Sequence, residues 1–212
     1  TQFRQHGLDE ERCTALASRG NAYKRGVPSL PASYDRVIDG DSLEIGGRRW
    51  QIVVGEGHSP EHACLYCAED AILIAGDQLL PRITSNVLVS SMEPEGNPLQ
   101  LWLDSLERLD RLSPDTLVLP SHERVFRGLR PRVAELQAHH RHQFDLLLAA
   151  LAGGVRLSAF EAMEVLFPRK LKAAEEMMAV GESLAHLAWL RYAGKLVRRL
   201  DEDGIYRFAL AA

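Results

Sequence analysis

The 212-residue sequence predicts a layered α/β or α+β domain, followed by a small module of short helices that ends in a β-hairpin. Three observations predict this fold class. Short β-rich runs come first, amphipathic helices follow them, and after Gly154 the pattern changes to short helices and two final strands. We place the boundary near Gly153, which gives domains of residues 1–153 and 154–212.

The N-terminal domain opens with a predicted short helix over Leu8–Ala17 that ends at Gly20. A loop with two prolines leads to residues 36–54. Turn signals at Asp39-Gly40 and Gly46-Gly47 separate short β-rich runs there and predict an antiparallel meander. The next apolar run, AILIAGD, predicts a buried strand.

Two longer helices are predicted on either side of a further strand, DTLVLP. The first runs from Asn97 to Leu112, with Pro98 in its first turn and a capping box formed by Asn97 and Gln100. The second runs from Pro131 to Leu151, with one apolar face and a Gly-Gly stop.

The C-terminal module begins with a capping box at Ser158 and Glu161. FPRK ends that helix, and GESLAHLAWLRYAG predicts a second helix that ends at Gly194. KLVRRL and IYRFAL then predict two strands joined by Asp201-Glu202-Asp203-Gly204. Helices followed by a hairpin indicate a winged-helix module.

Composition favours a cytoplasmic protein. Hydrophobic residues make up 46% and charged residues 25%. No apolar run approaches the roughly 20 residues that span a bilayer, and the N-terminal residues lack the apolar core of a secretory signal. Three cysteines fit a reducing compartment better than a disulfide framework. A net charge of -4 gives no general attraction to nucleic acid or to an anionic membrane.

Three strand-like segments share one arrangement, because WQIVV, AILIA and DTLVL are each followed within a few residues by His58, Asp77 or His122. If these strands are neighbours, their carboxyl ends bring two imidazoles and a carboxylate to one edge of a sheet. Such a set suits Zn²⁺ or Fe²⁺ and leaves positions open for water or substrate. A metal held there lowers the pKa of bound water to about 7, which indicates hydrolysis. Taken singly, His58 would more often be a surface or core residue and Asp77 a turn residue.

The segments GEGHSPEH, AGDQLLP and LPSHE, in this order, resemble the motifs in the second half of metallo-β-lactamase-fold hydrolases. The resemblance covers residues 35–150, and the terminal module is similar to the winged-helix extension of a glyoxalase II-like branch. It implies the C-terminal half of an αββα sandwich, in which His58 binds one metal, Asp77 bridges two and His122 binds the second. Zinc is the implied cofactor, and iron or manganese would also suit these donors.

The sequence departs from the family's motif pattern in several places, and the largest departure is a missing motif. Glu61 replaces the usual glycine, and Ser121 precedes the last ligand where glycine is common. The family's His-x-His-x-Asp-His motif occurs nowhere in the sequence. In HHRHQFD, the helical spacing of two turns His140 and His142 about 200° apart, so this segment cannot replace it. We therefore expect a hydrolase without its first half, through truncation, proteolysis or natural loss, that is weakly metallated and nearly inactive by itself.

Other residues have weaker claims to the site. His62 is close enough to be a ligand, but the family pattern favours a supporting role. Asn86 lines the pocket or occupies a turn, and His140 lies in the core or reaches the pocket from behind. Cys64 and Cys67 are spaced C-x-x-C in a strand-like run, where an offset of three places them on opposite faces and argues against a redox or zinc role.

We expect a hydrolase of a small-molecule ester or thioester that uses metal-activated water. An endoribonuclease of the same superfamily is the nearest enzymatic alternative, and a non-catalytic binding or assembly module is the alternative from another class. From Arg156 to Ala212 there are nine Lys or Arg and eight Asp or Glu, a net charge of +1 that argues against nucleic acid. The terminal module is expected to serve packing or homodimerisation.

Overall fold

A computed structural model describes residues 2–18, 27 and 29–212. The strands are β1 (Ser42–Ile45), β2 (Arg48–Gly55), β3 (His62–Cys67), β4 (Ile72–Gly76), β5 (Leu117–Pro120), β6 (Leu196–Leu200) and β7 (Tyr206–Leu210). The helices are α1 (Gln2–Gln5), α2 (Glu10–Ser18), α3 (Pro98–Asp110), α4 (Leu129–Ala150), α5 (Ala159–Leu166) and α6 (Ala173–Tyr192). This mixture of a sheet and helices confirms the predicted fold class.

The first five strands form one sheet in the order β1-β2-β3-β4-β5. Neighbours from β1 to β4 are antiparallel, whereas β5 is parallel to β4. Helix α3 lies in the connection between these two parallel strands, as a parallel crossover requires. Because β2, β4 and β5 run in one direction and β3 in the other, three carboxyl ends and the amino end of β3 share one edge.

One face of this sheet packs against the main hydrophobic core, whereas the other face is only partly covered: Ile52 is buried there, but Ile74 is not. Leu73 pairs with Tyr66 and Val118, and all three belong to the buried core. Ile74 pairs instead with Leu65 and Leu119 on the opposite face and is 38% exposed. The strand predicted to be buried therefore forms as β4 but is buried on one face only, because the described residues cover a single face of that strand.

The helix predicted from Asn97 forms, but without its capping box. Asn97 makes no side-chain cap hydrogen bond. Gln100 is engaged elsewhere, since its amide donates to Asp104 Oδ1 at 2.7 Å and its carbonyl oxygen accepts from the Trp189 indole at 2.7 Å. Helix α4 begins at Leu129, slightly before the predicted start at Pro131.

The C-terminal residues pack onto α3 and α4 through α6. The capping box of Ser158 and Glu161 is confirmed, and so is the hairpin of β6 and β7. Helix α6 begins at Ala173 instead of Gly181, so the break predicted at FPRK is shorter than expected. The winged-helix interpretation of this region stays a prediction.

The N-terminal residues contact the C-terminal module. Helix α2 forms close to the predicted position, although its predicted stop at Gly20 lies outside the described residues. The loop predicted to follow also lies partly outside them. Arg12 on α2 pairs with Glu176 on α6 at 3.1 Å. Among the described helices, none is both long and apolar enough to cross a membrane.

Candidate metal centre

Strand direction brings the three predicted ligands to one edge of the sheet. His58 follows β2, Asp77 directly follows β4, and His122 comes shortly after β5. The backbone N–H of Ser121 donates to the carbonyl of Gly76 at 3.0 Å, which ties the last two strand ends together. The sheet therefore places on neighbouring turns three side chains that are far apart in sequence.

Asp77 lies between the two imidazoles. Its Oδ2 is 3.6 Å from His58 Nε2, and its Oδ1 is 3.3 Å from His122 Nε2. Each carboxylate oxygen thus faces a different histidine. The His122 side chain is 64% exposed, whereas those of His58 and Asp77 are about half as exposed at 28% and 30%.

His58 is held in one tautomer by the backbone. Its Nδ1 lies 2.8 Å from the carbonyl oxygen of Asn86, which can only accept a hydrogen bond. Nδ1 therefore carries a proton, which leaves Nε2, the atom that faces Asp77, as the nitrogen that would bind a metal. Metal-binding histidines are commonly oriented by such a hydrogen bond from the other ring nitrogen.

His62 reaches the same edge from β3 but contacts the backbone. Its Nε2 accepts a hydrogen bond from the N–H of Asp77 at 3.1 Å, and its Nδ1 lies 3.6 Å from Cys64 Sγ. Burial, with a smaller contribution from His58, lowers the pKa of His62. A neutral His62 thus orients Asp77 and has its Nε2 lone pair occupied.

The three proposed donors do not by themselves form a complete site for one metal ion in the described residues. No group of three His, Cys, Asp or Glu arranged to hold a metal occurs in the part of the chain that is described. Within the same residues, Asp77 Oδ1 is buried and makes no hydrogen bond, and His122 Nε2 lies 3.3 Å from it. A buried carboxylate oxygen without a partner is costly and would be satisfied by a cation. A cation bound at this edge would be held by Asp77 together with the imidazole beside either of its oxygens.

His58, Asp77 and His122 line a cavity of about 440 Å³. Thr84, Ser85 and Asn86 line it from the loop after Asp77. A further wall comes from the C-terminal module, including Glu182 on α6. Sequence reasoning missed this wall, although the spacing of residues 175, 178, 179 and 182 places them on one helical face.

The remaining candidates lie away from this cavity. His140 is buried beside Trp102 and His186, and it is not among the residues that line the cavity. Both Cys64 and Cys67 are buried free thiols on β3. Burial raises the pKa of Cys64 to about 12, so that thiol stays protonated and unreactive at neutral pH.

Comparison with known proteins establishes the family. The sequence model of the metallo-beta-lactamase superfamily matches residues 4–122. A second family model, metallo-beta-lactamase-like, C-terminal domain, matches residues 144–211. The first match covers more than half of the chain. The chain therefore belongs to the metallo-β-lactamase superfamily, as its motifs predicted.

Two curated proteins are similar to just under half of the chain. Hydroxyacylglutathione hydrolase of Yersinia enterocolitica is 31% identical over 94 residues, which are 44% of this chain and 34% of the relative. The enzyme of that name from Roseobacter denitrificans is 29% identical over 99 residues, 47% of this chain and 36% of the relative. This chain thus spans about a third of the length of these relatives.

Two solved structures resemble nearly the whole chain. A beta-lactamase domain protein from Burkholderia ambifaria has a TM-score of 0.93 at 45% identity, and the match covers 99% of this chain and 60% of that one. A metallo-beta-lactamase family protein from Thermus thermophilus has a TM-score of 0.79 at 33% identity, with 98% and 62% covered. The order and packing of the elements described above are therefore a shared arrangement.

Proposed function

We propose that this chain is part of a metal-dependent hydrolase that acts on a thioester or ester, with His58, Asp77 and His122 as its share of the metal ligands. The observation that carries the proposal is the position of Asp77, which presents one carboxylate oxygen to each imidazole. Zinc is the metal we propose, and iron or manganese would suit the same donors. A bound cation would supply activated water and polarise the acyl carbonyl.

The residues of this chain have distinct parts in such a site. The carbonyl of Asn86 fixes the His58 tautomer, so that Nε2 is free to bind. His62 holds the Asp77 backbone, and Ser85 donates a hydrogen bond from its hydroxyl to the Asp77 carbonyl oxygen. These contacts position the proposed ligands before a metal binds, which lowers the entropic cost of assembling the site.

The choice of a thioester rests on the relatives. The curated relatives named above are hydroxyacylglutathione hydrolases, and their aligned segments cover 44% and 47% of this chain. A hydroxyacylglutathione thioester is therefore the first substrate to test.

A nuclease is less well supported by the charges of the C-terminal module. Arg191 and Arg198 both pair with Glu95, and Arg207 pairs with Asp201 and Asp203. Side chains that already neutralise carboxylates are poorly placed to neutralise phosphates, which dominate nucleic-acid affinity. We therefore rank the endoribonuclease below the acyl hydrolase.

Metal binding by the purified chain tests the proposed ligands. Isothermal titration with Zn²⁺ should show binding that is weakened at least tenfold by Asp77→Asn and by His122→Ala. Asp145→Asn is a matched control, because Asp145 is exposed on α4 and lies outside the cavity. Equal zinc affinity in all four proteins would contradict the assignment.

Turnover tests the reaction. Hydrolysis of a hydroxyacylglutathione thioester should be measured on the longest natural protein that contains this sequence, with and without Asp77→Asn. We expect the substitution to abolish turnover while the far-UV circular dichroism spectrum is unchanged. Undiminished turnover would exclude Asp77 from the site, and turnover of RNA but not thioester would favour the nuclease.

A further inference from the structure

The cavity beside Asp77 has a largely apolar lining, although it contains the proposed metal ligands. Its volume of about 440 Å³ lies within the usual range for small-molecule sites. The apolar residues come from the loop after Asp77 and from the C-terminal module: Leu80, Ile83, Phe167, Leu171, Met178 and Ala179. A ligand in this cavity would therefore contact hydrocarbon on two sides.

Helix α6 provides one continuous wall. Glu175, Met178, Ala179 and Glu182 line the cavity, and their spacing of three, one and three residues places them on one helical face. Met178 is 42% exposed, and Ile83 on the opposite loop is 53% exposed. Large apolar side chains that stay exposed inside a concave site indicate contact with a ligand.

The charged residues of the cavity favour an uncharged ligand. Arg169 is the one lysine or arginine among the described lining residues, and it faces Glu175 at 3.5 Å. Burial raises the pKa of Glu182 to about 7. Its carboxyl group has no hydrogen bond or ion pair within the described chain, and near neutral pH it is protonated and uncharged in about half of the molecules. Among the described lining residues, the wall thus offers no unpaired lysine or arginine to a charged acyl group.

We propose that the cavity binds the uncharged, apolar acyl chain of an ester or thioester, in contact with Ile83, Phe167 and Met178. This inference rests on the proposed hydrolase function and names its substrate class. In the reaction the oxygen of water bonds to the acyl carbon and the C–O or C–S bond breaks. The alcohol or thiol leaves with a proton, and the carboxylic acid product keeps the apolar chain. The C-terminal module thereby contributes to substrate selection.

A series of 2-alkanones tests this proposal on the chain as it exists. 2-Butanone, 2-hexanone and 2-octanone carry the carbonyl and the apolar chain of the substrate but cannot be hydrolysed. Burial of each added methylene contributes about 0.8 kcal/mol, which corresponds to an affinity gain of up to about fourfold. We expect affinity, measured by calorimetry or ligand-observed NMR, to rise with chain length until the cavity is filled.

Matched variants locate the binding. Met178→Asp and Ile83→Asp should each abolish the dependence on chain length, because a carboxylate would face the alkyl chain. Leu101→Asp is the control, since Leu101 is 43% exposed on α3 and does not line the cavity. Two cavity variants guard against a folding defect in one of them. An unchanged chain-length dependence in both, or an equal loss in the control, would overturn the proposal.

Zinc titration of the same samples separates this inference from the proposed function. A chain-length dependence without zinc binding would leave the acyl cavity standing while the metal assignment failed. Zinc binding without a chain-length dependence would leave the metal site standing and would refute the apolar acyl substrate.

Discussion

The imidazoles of His140 on α4 and His186 on α6 are joined by a buried contact of 2.9 Å between Nδ1 and Nε2. His186 Nδ1 donates to the backbone carbonyl of Glu182 at 2.8 Å, so its Nε2 must accept from His140. His140 Nε2 is then unprotonated, and it is buried without a partner in the described chain. Both rings are therefore neutral in the folded protein.

This pair should make the chain sensitive to acid. Burial lowers the pKa of His186 to about 4 and that of His140 to about 2, whereas an unfolded histidine titrates near 6.5. Between the pKa of a folded histidine and that of an unfolded one, the unfolded state binds more protons. The free energy of unfolding is therefore highest above pH 6.5 and decreases as the pH falls. Each histidine contributes up to about 1.4 kcal/mol per pH unit.

Urea unfolding between pH 7.5 and 4.5 measures the effect. His140→Leu should lower stability at pH 7.5 and flatten the acid-induced loss. His142→Gln on the same helix is the control, because His142 is exposed and should leave the slope unchanged. An equal slope in the His140 variant and the native chain would place the acid sensitivity elsewhere.

Glu182 should give stability the opposite dependence on pH, because it favours the folded state in acid. Burial raises its pKa from 4.5 to about 7, so the folded state holds the proton more tightly than the unfolded state. Its contribution is fully present below pH 4.5 and is lost as the pH rises through 7. A shift of this size corresponds to about 3 kcal/mol as an upper figure.

Replacement of the Glu182 carboxyl group tests this opposite pH dependence of stability. Glu182→Gln should raise the unfolding free energy at pH 8 relative to the native chain and change it little at pH 4.5. Glu164→Gln, at an exposed position on α5, is the matched control. Since the histidines and Glu182 oppose each other between pH 4.5 and 6.5, the difference between variant and native chain is the informative quantity.

Local signals and strand order made much of the site predictable. His58, Asp77 and His122 each follow an apolar run, and that pattern holds without knowledge of the tertiary fold. The proximity of His62 to Asp77 was harder to predict, because it depends on β3 running against its neighbours. The second cavity wall required the packing of α6, which brings Glu182 to a loop about a hundred residues earlier in the chain.

The failed predictions have a similar cause. A capping box at Asn97 and Gln100 is a local expectation, but Gln100 is held by a partner 89 residues away, the Trp189 indole. Long-range hydrogen bonds of this kind cannot be inferred from local spacing. In contrast, Ser158 and Glu161 have no competing side-chain partner among the described residues and form their capping box as predicted.

The contact between Trp189 and Gln100 should stabilise the junction of α6 with α3. The indole also stacks on Phe144, with ring centroids 4.1 Å apart and planes inclined at 13°. Trp189→Phe keeps the stacking and loses the hydrogen bond, so it should cost about 1 kcal/mol. Trp189→Ala loses both and should cost about 3 kcal/mol or more. Equal losses in urea unfolding of the two variants would show that stacking contributes little.

Gly57 should be required both for stability and for the position of the neighbouring His58. Its φ is +92°, and a Cβ atom there would lie 2.4 Å from Trp102 Cβ and 2.5 Å from the Pro98 carbonyl oxygen. Gly46 provides a matched control, because its φ is +62° but a Cβ there would meet open space. Both alanine variants carry the backbone strain of about 1–2 kcal/mol, and Gly57→Ala adds the steric clash.

We therefore expect Gly46→Ala to lower the unfolding free energy by about 1 kcal/mol and Gly57→Ala by about 3 kcal/mol or more. Zinc affinity should also differ between these two variants. Because His58 is adjacent to Gly57, a displaced turn should weaken zinc binding in Gly57→Ala, whereas Gly46→Ala should bind zinc as the native chain does. If both variants lost the same stability, the close approach of this turn to α3 would not constrain the site. If Gly57→Ala kept native zinc affinity, the position of His58 would not depend on the turn.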